Sequence, residues 1–320
     1  MMNLDELNHQ YGTDGQLVFK SGKGGLPVIE VNNPLCTAII SLQGAQVLSW
    51  TPLPCDQQTD SLPGAEADEE ATVASDVIWL SREAGFASGQ SIRGGIPICW
   101  PWFGAHRSNK TLPAHGFARV SLWQVLSTEI LPDNSIRISF SLNKTNENSH
   151  MWPADTSVQC QITLGSKLEI ELITHNHGNA AVTIGQALHT YFRVADISQV
   201  KLHGLDEAEY LDKLAGYQRK RQQGPVIIDR EVDRIYLDTT SDCVIEDSAL
   251  KRNIVIIKCG SHSTVVWNPW QETAAKMGDL GKDGYKQMLC VESANAAEDE
   301  VTIEAGKDHH LWVQYSVKTG

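Results

Sequence analysis

Alternation with period two runs through much of this chain, and it restricts the fold more than any other feature. Val158, Cys160 and Ile162 alternate with Gln159, Gln161 and Thr163; a Gly165-Ser166 turn follows; then Leu168, Ile170 and Leu172 alternate with acids. Successive side chains of a strand point to opposite faces, so this pattern predicts a β-hairpin. SLWQVLS (121–127), SIRISFSL (135–142), AVTIGQAL (181–188), NIVIIKC (253–259), STVVW (263–267), VTIEA (301–305) and LWVQYSV (311–317) predict further strands. Turn residues separate them at short intervals, which predicts an all-β chain folded as a large antiparallel sandwich. Helical periodicity is nearly absent, and only LDELNHQ (4–10) predicts a short amino-terminal helix.

Three segments depart from the alternation. Cys55 to Asp76 is acidic and poor in apolar residues, and predicts a solvated surface loop. The basic stretch KLAGYQRKRQQG, Lys213 to Gly224, reads as a solvated connection rather than an anion site. AAKMGDLGKDGYKQM, Ala274 to Met288, holds too many glycines for a stable helix and reads as a structured loop. With no internal repeat and no linker to force a boundary, residues 1–320 are expected to form a single domain.

Charge and cysteine usage narrow the function. The formal net charge is −13, from 26 basic and 39 acidic residues, which argues against a nucleic-acid partner. The same field repels an anionic small molecule, so an anionic substrate requires a local arginine cluster. The seven cysteines are odd in number and form no CxxC pair; they read as reduced thiols of a cytoplasmic protein. MMNLDELNHQ has neither a basic region nor an apolar run, so no signal peptide is expected, and no stretch approaches the roughly 18 apolar residues of a membrane span.

Four stretches place an ionisable group inside an apolar or small-residue run: Arg93-Gly94-Gly95, AHGFAR (114–119), ALHTYF (187–192) and LCVESAN (289–295). Such groups are costly to bury unless paired or used. Taken alone, His189 reads equally as a satisfied core histidine, Glu292 as half of a structural salt bridge, His115 as a turn residue, and Arg93 and Arg119 as surface arginines. His175 and His177 stand at i and i+2, but without a third ligand nearby THNHG reads as a strand end and turn rather than a zinc site. HExxH, P-loop, dinucleotide and GxSxG signatures are absent.

The order RGGIP…WPWFG, HGFAR, LHTYF, VDRIY, VVWNPW and CVESAN, from about Asp76 onward, resembles the hexose-6-phosphate mutarotases, or glucose-6-phosphate 1-epimerases. That family is similar to the aldose 1-epimerases (galactose mutarotases). The resemblance implies a β-supersandwich and an isomerase that exchanges the α and β anomers of a hexose 6-phosphate, with no cofactor and no metal. It implies His189 and Glu292 as the catalytic acid–base pair, and Arg93, His115, Arg119 and Asp233 as substrate-binding residues. Ala114 stands where some members carry a substrate-contacting glutamine. The partner implied is a small-molecule sugar phosphate, with no nucleic acid and no membrane, and the chain is expected to be a monomer. Two other readings stand beside this one: an epimerase of free aldoses, and a non-catalytic carbohydrate-binding protein of the same fold. On the first reading Arg93 holds a substrate oxygen or the phosphate, and Gly94 and Gly95 let the backbone come close. Trp100, Trp102, Phe103, Trp267 and Trp270 supply flat surface to the core or to the sugar.

Overall fold

The computed structural model describes residues 3–13, 15–54, 75–142 and 145–319. Most of the acidic segment read as a surface loop, residues 55–74, lies outside the described residues. The hairpin is present as Thr156–Leu164 and Leu168–Asn176, paired in register from Thr156↔Asn176 to Leu164↔Leu168. It forms part of a nine-stranded antiparallel sheet whose edge strands are Trp123–Ile130 and Val226–Ile227. An eight-stranded sheet runs from Gln218–Arg221 through Glu209–Asp212, Val232–Tyr236, Ser263–Asn268, Met288–Asn295 and Gln186–Leu188 to Ile98–Cys99, with Tyr191–Arg193 also paired to Met288–Asn295. A four-stranded meander, Leu17–Ser21 to Gln46–Pro52, and a two-stranded piece complete the β structure.

The two large sheets share one apolar core. Ile138, Phe140, Ile162, Leu172 and Val313 of the nine-stranded sheet pack with Leu188, Phe192, Val232, Val266, Leu289 and Val291 of the eight-stranded one. Alternation along each strand then dictates what faces the other way. On Met288–Asn295, Leu289 and Val291 enter that core, whereas Cys290 and Ala294 belong to separate apolar clusters beyond it. Glu292 lies between those two positions on the same face. Trp267 and Asp233 are likewise one residue out of phase with the core residues Val266 and Val232. The outer face of the eight-stranded sheet is therefore where polar chemistry collects.

Several expectations are refined. AVTIGQAL is two strands, Val182–Ile184 and Gln186–Leu188, broken at Gly185 and assigned to different sheets. Lys213 to Gly224 is not a plain connection: it opens as a 3-10 turn, Lys213–Ala215, and then forms the exposed edge strand Gln218–Arg221. Its alternation is hidden because all four strand residues are exposed and polar, so no buried face marks it. Ala274 to Lys276 is the last turn of a short helix, Trp270–Lys276, and the loop reading holds only beyond it. The amino-terminal helix is Leu4–Tyr11; Asn8 ties it to the first strand by accepting from the Phe19 N–H (2.7 Å) and donating to its carbonyl (2.9 Å). Among the described residues, no helix is long and apolar enough to cross a membrane.

Candidate active site

Arg93, His115, Arg119, His189, Asp233 and Glu292, drawn from distant points of the chain, line one cavity of about 250 Å³. Phe103, Lys213, Val265 and Trp267 complete its wall. The volume lies near the lower end of the range for ligand pockets, about 300–1,000 Å³.

Adjacent strands bring the two central groups together. Leu188 pairs with Ser293, so His189, just beyond the strand end, meets Glu292 across the sheet. The backbone of His189 is held by donation to the Pro97 carbonyl (3.0 Å). His189 Nε2 lies 3.3 Å from Glu292 Oε1, with side chains 12% and 1% exposed. His189 Nδ1 and Glu292 Oε2 are buried without a hydrogen-bond partner. Buried polar atoms are seldom left so, and two of them at the floor of one cavity mark where a ligand's hydroxyls would be held. Burial pushes the Glu292 carboxyl well above the usual carboxylate range, with Asp233 adding to the rise and Lys213 and Arg119 opposing it. Burial also holds His189 well below its ordinary value, helped by His115 and Arg119. Burial thus favours the neutral form of each, with one proton held by the pair as a unit.

Around the pair the supports are specific. The Tyr191 ring stacks on His189, with centroids 4.9 Å apart and planes 16° from parallel. The Tyr191 hydroxyl accepts from Arg93 Nη1 (2.9 Å), and Arg93 Nε donates to Asp279 Oδ2 (3.1 Å). Asp279 comes from the glycine-rich loop after the Trp270 helix, which therefore aims Arg93. Asp233 Oδ2 pairs with Lys213 Nζ at 2.7 Å. Lys213 was missed in the sequence because its stretch read as solvated; the signal lay in Asp212-Lys213 directly following an apolar-polar strand end. Arg119 Nη2 donates to the Ala114 carbonyl (2.9 Å), and among the described residues Arg119 makes no ion pair. Ala114 thus contributes its backbone, which asks nothing of its side chain.

His115 sits at φ 67° and Gly116 at φ 72°, a left-handed pair that turns the imidazole into the cavity. Gly116 is required there, because a Cβ would lie 1.9 Å from the Trp100 carbonyl oxygen. The Gly104 N–H donates to His115 Nδ1 (3.3 Å), so Nε2 carries the ring proton and is free to donate. Burial, aided by Arg119, Lys213 and Arg93, lowers His115 to about 3 and keeps the ring neutral.

The aromatic residues divide. Phe103 and Trp267 line the cavity, whereas Trp100 and Trp102 are buried in the core, donating to Thr174 Oγ1 and to the Pro113 carbonyl. Trp270 packs against Tyr285 instead. Gly94 and Gly95 serve a different approach from the one expected. Both have positive φ, and a Cβ on either would strike the Trp79 or Val47 carbonyl at 2.6 or 2.5 Å. They let the Arg93 segment lie against neighbouring backbone, not against a ligand. His175 and His177 lie elsewhere, bonded to Asp308 and Ser157, and the strand carrying His175 ends at Asn176.

Known proteins match at the level of the whole chain. Residues 27–316 match the family described as aldose 1-epimerase. An Escherichia coli K12 protein named "Putative glucose-6-phosphate 1-epimerase" is 37% identical over 288 residues, 89% of this chain and 88% of the relative. A Salmonella typhimurium crystal structure described as a "putative mutarotase" superimposes with a TM-score of 0.83 at 30% identity, covering 99% of both chains. A galactose mutarotase related enzyme from Lactobacillus acidophilus is 13% identical with a TM-score of 0.67, covering 91% of this chain and 97% of that one, which shows a shared fold alone.

Proposed function

The chain belongs to the aldose 1-epimerase family, an isomerase-type enzyme built as a mutarotase β-supersandwich, and from that premise we propose that it exchanges the α and β anomers of a hexose 6-phosphate, glucose 6-phosphate first. The observation that carries the reading is the His189–Glu292 pair, 3.3 Å apart at the floor of a cavity walled by Arg93, Arg119 and Lys213.

Mutarotation requires one proton removed from the anomeric hydroxyl and one delivered to the ring oxygen. In the proposed cycle the Glu292 carboxylate takes the O1 proton and the O1 electrons form the C1 carbonyl. The C1–O5 bond breaks, its electron pair passes to O5, and protonated His189 supplies the O5 proton. The aldehyde then rotates about C1–C2 and the steps reverse on its other face. No electron or group leaves, so the reaction balances on one proton shared by the pair. After ring opening the pair is neutral, with the proton on Glu292, which is the form that burial favours. The site is thus poised towards the open-chain state, the high-energy point of the path.

His115 Nε2 donates to a sugar oxygen without changing charge, and Asp233, braced by Lys213, accepts from a hydroxyl. Arg119, which has no carboxylate partner among the described residues, takes the phosphate, for which the guanidinium fork is suited. Arg93, already engaged by Asp279, is the second contact. The competing reading, an epimerase of free sugars, leaves unexplained an Arg119 with no carboxylate partner among the described residues. Arg119→Ala separates them: KM for glucose 6-phosphate should rise about 10- to 100-fold, the worth of one charge-assisted hydrogen bond, with little change for glucose. Equal changes for both sugars would refute the phosphate assignment.

We further take the chain to act as a single-domain cytoplasmic monomer. One buried cluster joins the four-, eight- and nine-stranded sheets, and the described cysteines are free thiols, all buried except Cys259.

A further inference from the structure

A third potential ligand stands beside the catalytic pair. Cys290 precedes Glu292 by two residues on the same strand, so both side chains leave the same face of the sheet. One ligand atom each from His189, Cys290 and Glu292 lies within 4.8 Å of the others. Around a tetrahedral ion with bonds of about 2.0–2.3 Å, such atoms sit roughly 3.3–3.8 Å apart, so small side-chain rotations close the set. Glu292 Oε2, on a side chain 1% exposed, and His189 Nδ1 have no other partner to give up. We propose that His189, Cys290 and Glu292 form a site for a soft divalent cation such as Zn²⁺ or Cd²⁺, and that its occupancy inhibits the enzyme.

The charges close. As the metal–sulfur bond forms, the Cys290 thiol releases its proton to solvent, and thiolate plus carboxylate neutralise the dication. His189 and Glu292 line the cavity, so the fourth ligand would be a water taken from that side. Arg93, Arg119 and Lys213 on the wall repel a cation held by charge alone, so hard ions such as Mg²⁺ and Ca²⁺ are rejected and a metal that bonds sulfur is selected. A bound metal occupies both the acid and the base, so it excludes the sugar. The site itself stands on side-chain geometry; only the inhibition rests on the proposed function.

The test is titration of the full-length protein with Cd²⁺, followed by the ultraviolet thiolate-to-cadmium band, in a Cys55→Ser, Cys259→Ser background that removes the thiol exposed among the described residues and the one outside them. One ion per chain is expected, displaced by glucose 6-phosphate and unaffected by Mg²⁺. Cys290→Ser should lose the band and weaken inhibition by at least about 10–100-fold, the loss that even outer partners of metal ligands produce, while turnover without metal is retained. Should Cys290→Ser fail to fold, Cys290→Ala is read the same way, with Glu292→Gln weakening binding in the absorbance assay. A band that survives in the Cys290 variants, or no stoichiometric binding to the parent, would overturn the site. Binding with no mutarotase activity would keep the site and reject the function, and activity with no binding would do the reverse.

Discussion

Replacing the proposed base should make the protein more stable, not less. Glu292 is 1% exposed and one of its oxygens has no partner. Glu292→Gln keeps the shape and removes the charge. Leaving a buried polar group unsatisfied costs about 1–3 kcal/mol, and a charged one at least the upper part of that range, about 2–3 kcal/mol; loss of the His189 contact takes back about 1 kcal/mol, so a net gain of about 1–2 kcal/mol is expected. Unfolding entropy of about 2.1 cal/mol/K per residue over 320 residues turns that into a Tm rise of about 1.5–3 °C. The gain must depend on pH. Burial raises the folded carboxyl well above its ordinary value, so above the unfolded value of about 4.3 the native state binds more protons than the unfolded chain. Wild-type stability from this group therefore falls as pH rises from there through the folded value, and the variant has no such loss. Thermal melts followed by circular dichroism should show no advantage for the variant near pH 4 and an advantage that grows as pH rises above it. A variant that melts below the wild type near pH 8, or an offset that ignores pH, would refute the claim that the fold strains to bury this carboxylate.

His115 obeys the opposite sign. Its folded value of about 3 lies below the ordinary 6.5, so the stability it contributes is present above about pH 6.5 and is lost as pH falls towards 3. His115→Gln should flatten that acid loss in melts taken across the window, and should lower kcat/KM about tenfold or more without moving its pH profile, since a neutral donor does not titrate in turnover. Gly116→Ala forces a Cβ to 1.9 Å from the Trp100 carbonyl oxygen at φ 72°; a fall of about 3 kcal/mol or more in unfolding free energy is expected from urea midpoints, and a loss under 1 kcal/mol would show that the His115 turn can relax.

Strands with one wet face, such as Thr156–Leu164 and Leu168–Asn176, were the plainest in the sequence, because burial on one side writes period two into the residues; STVVW was also read, although Ser263–Asn268 is buried on both faces. The amino-terminal meander was not assigned strand by strand; within it, Gln46-Val47-Leu48 is buried on both sides and carries no alternation. His189 and Glu292 drew notice because an ionisable group in an apolar run is rare, but their proposed roles came only with the family resemblance. Lys213 and Asp279 drew none, because each sits in a stretch whose local composition is that of a solvated loop, and only the fold reveals that one braces Asp233 and the other Arg93. The glycines of RGG were seen as necessary, but their neighbours, the Trp79 and Val47 carbonyls, come from other parts of the chain.

The most direct measurement is anomer exchange. Magnetisation transfer between the anomeric protons of glucose 6-phosphate at equilibrium would be followed with the wild-type protein, with Glu292→Gln, and with glucose in parallel. Exchange of the phosphorylated sugar should be accelerated well beyond its spontaneous rate, glucose much less, and the acceleration should fall by about 10²–10⁴ in the variant, the usual worth of a positioned acid or base. No acceleration of either sugar, or acceleration undiminished in Glu292→Gln, would contradict the assignment of His189 and Glu292 as the acid–base pair of a hexose-phosphate mutarotase.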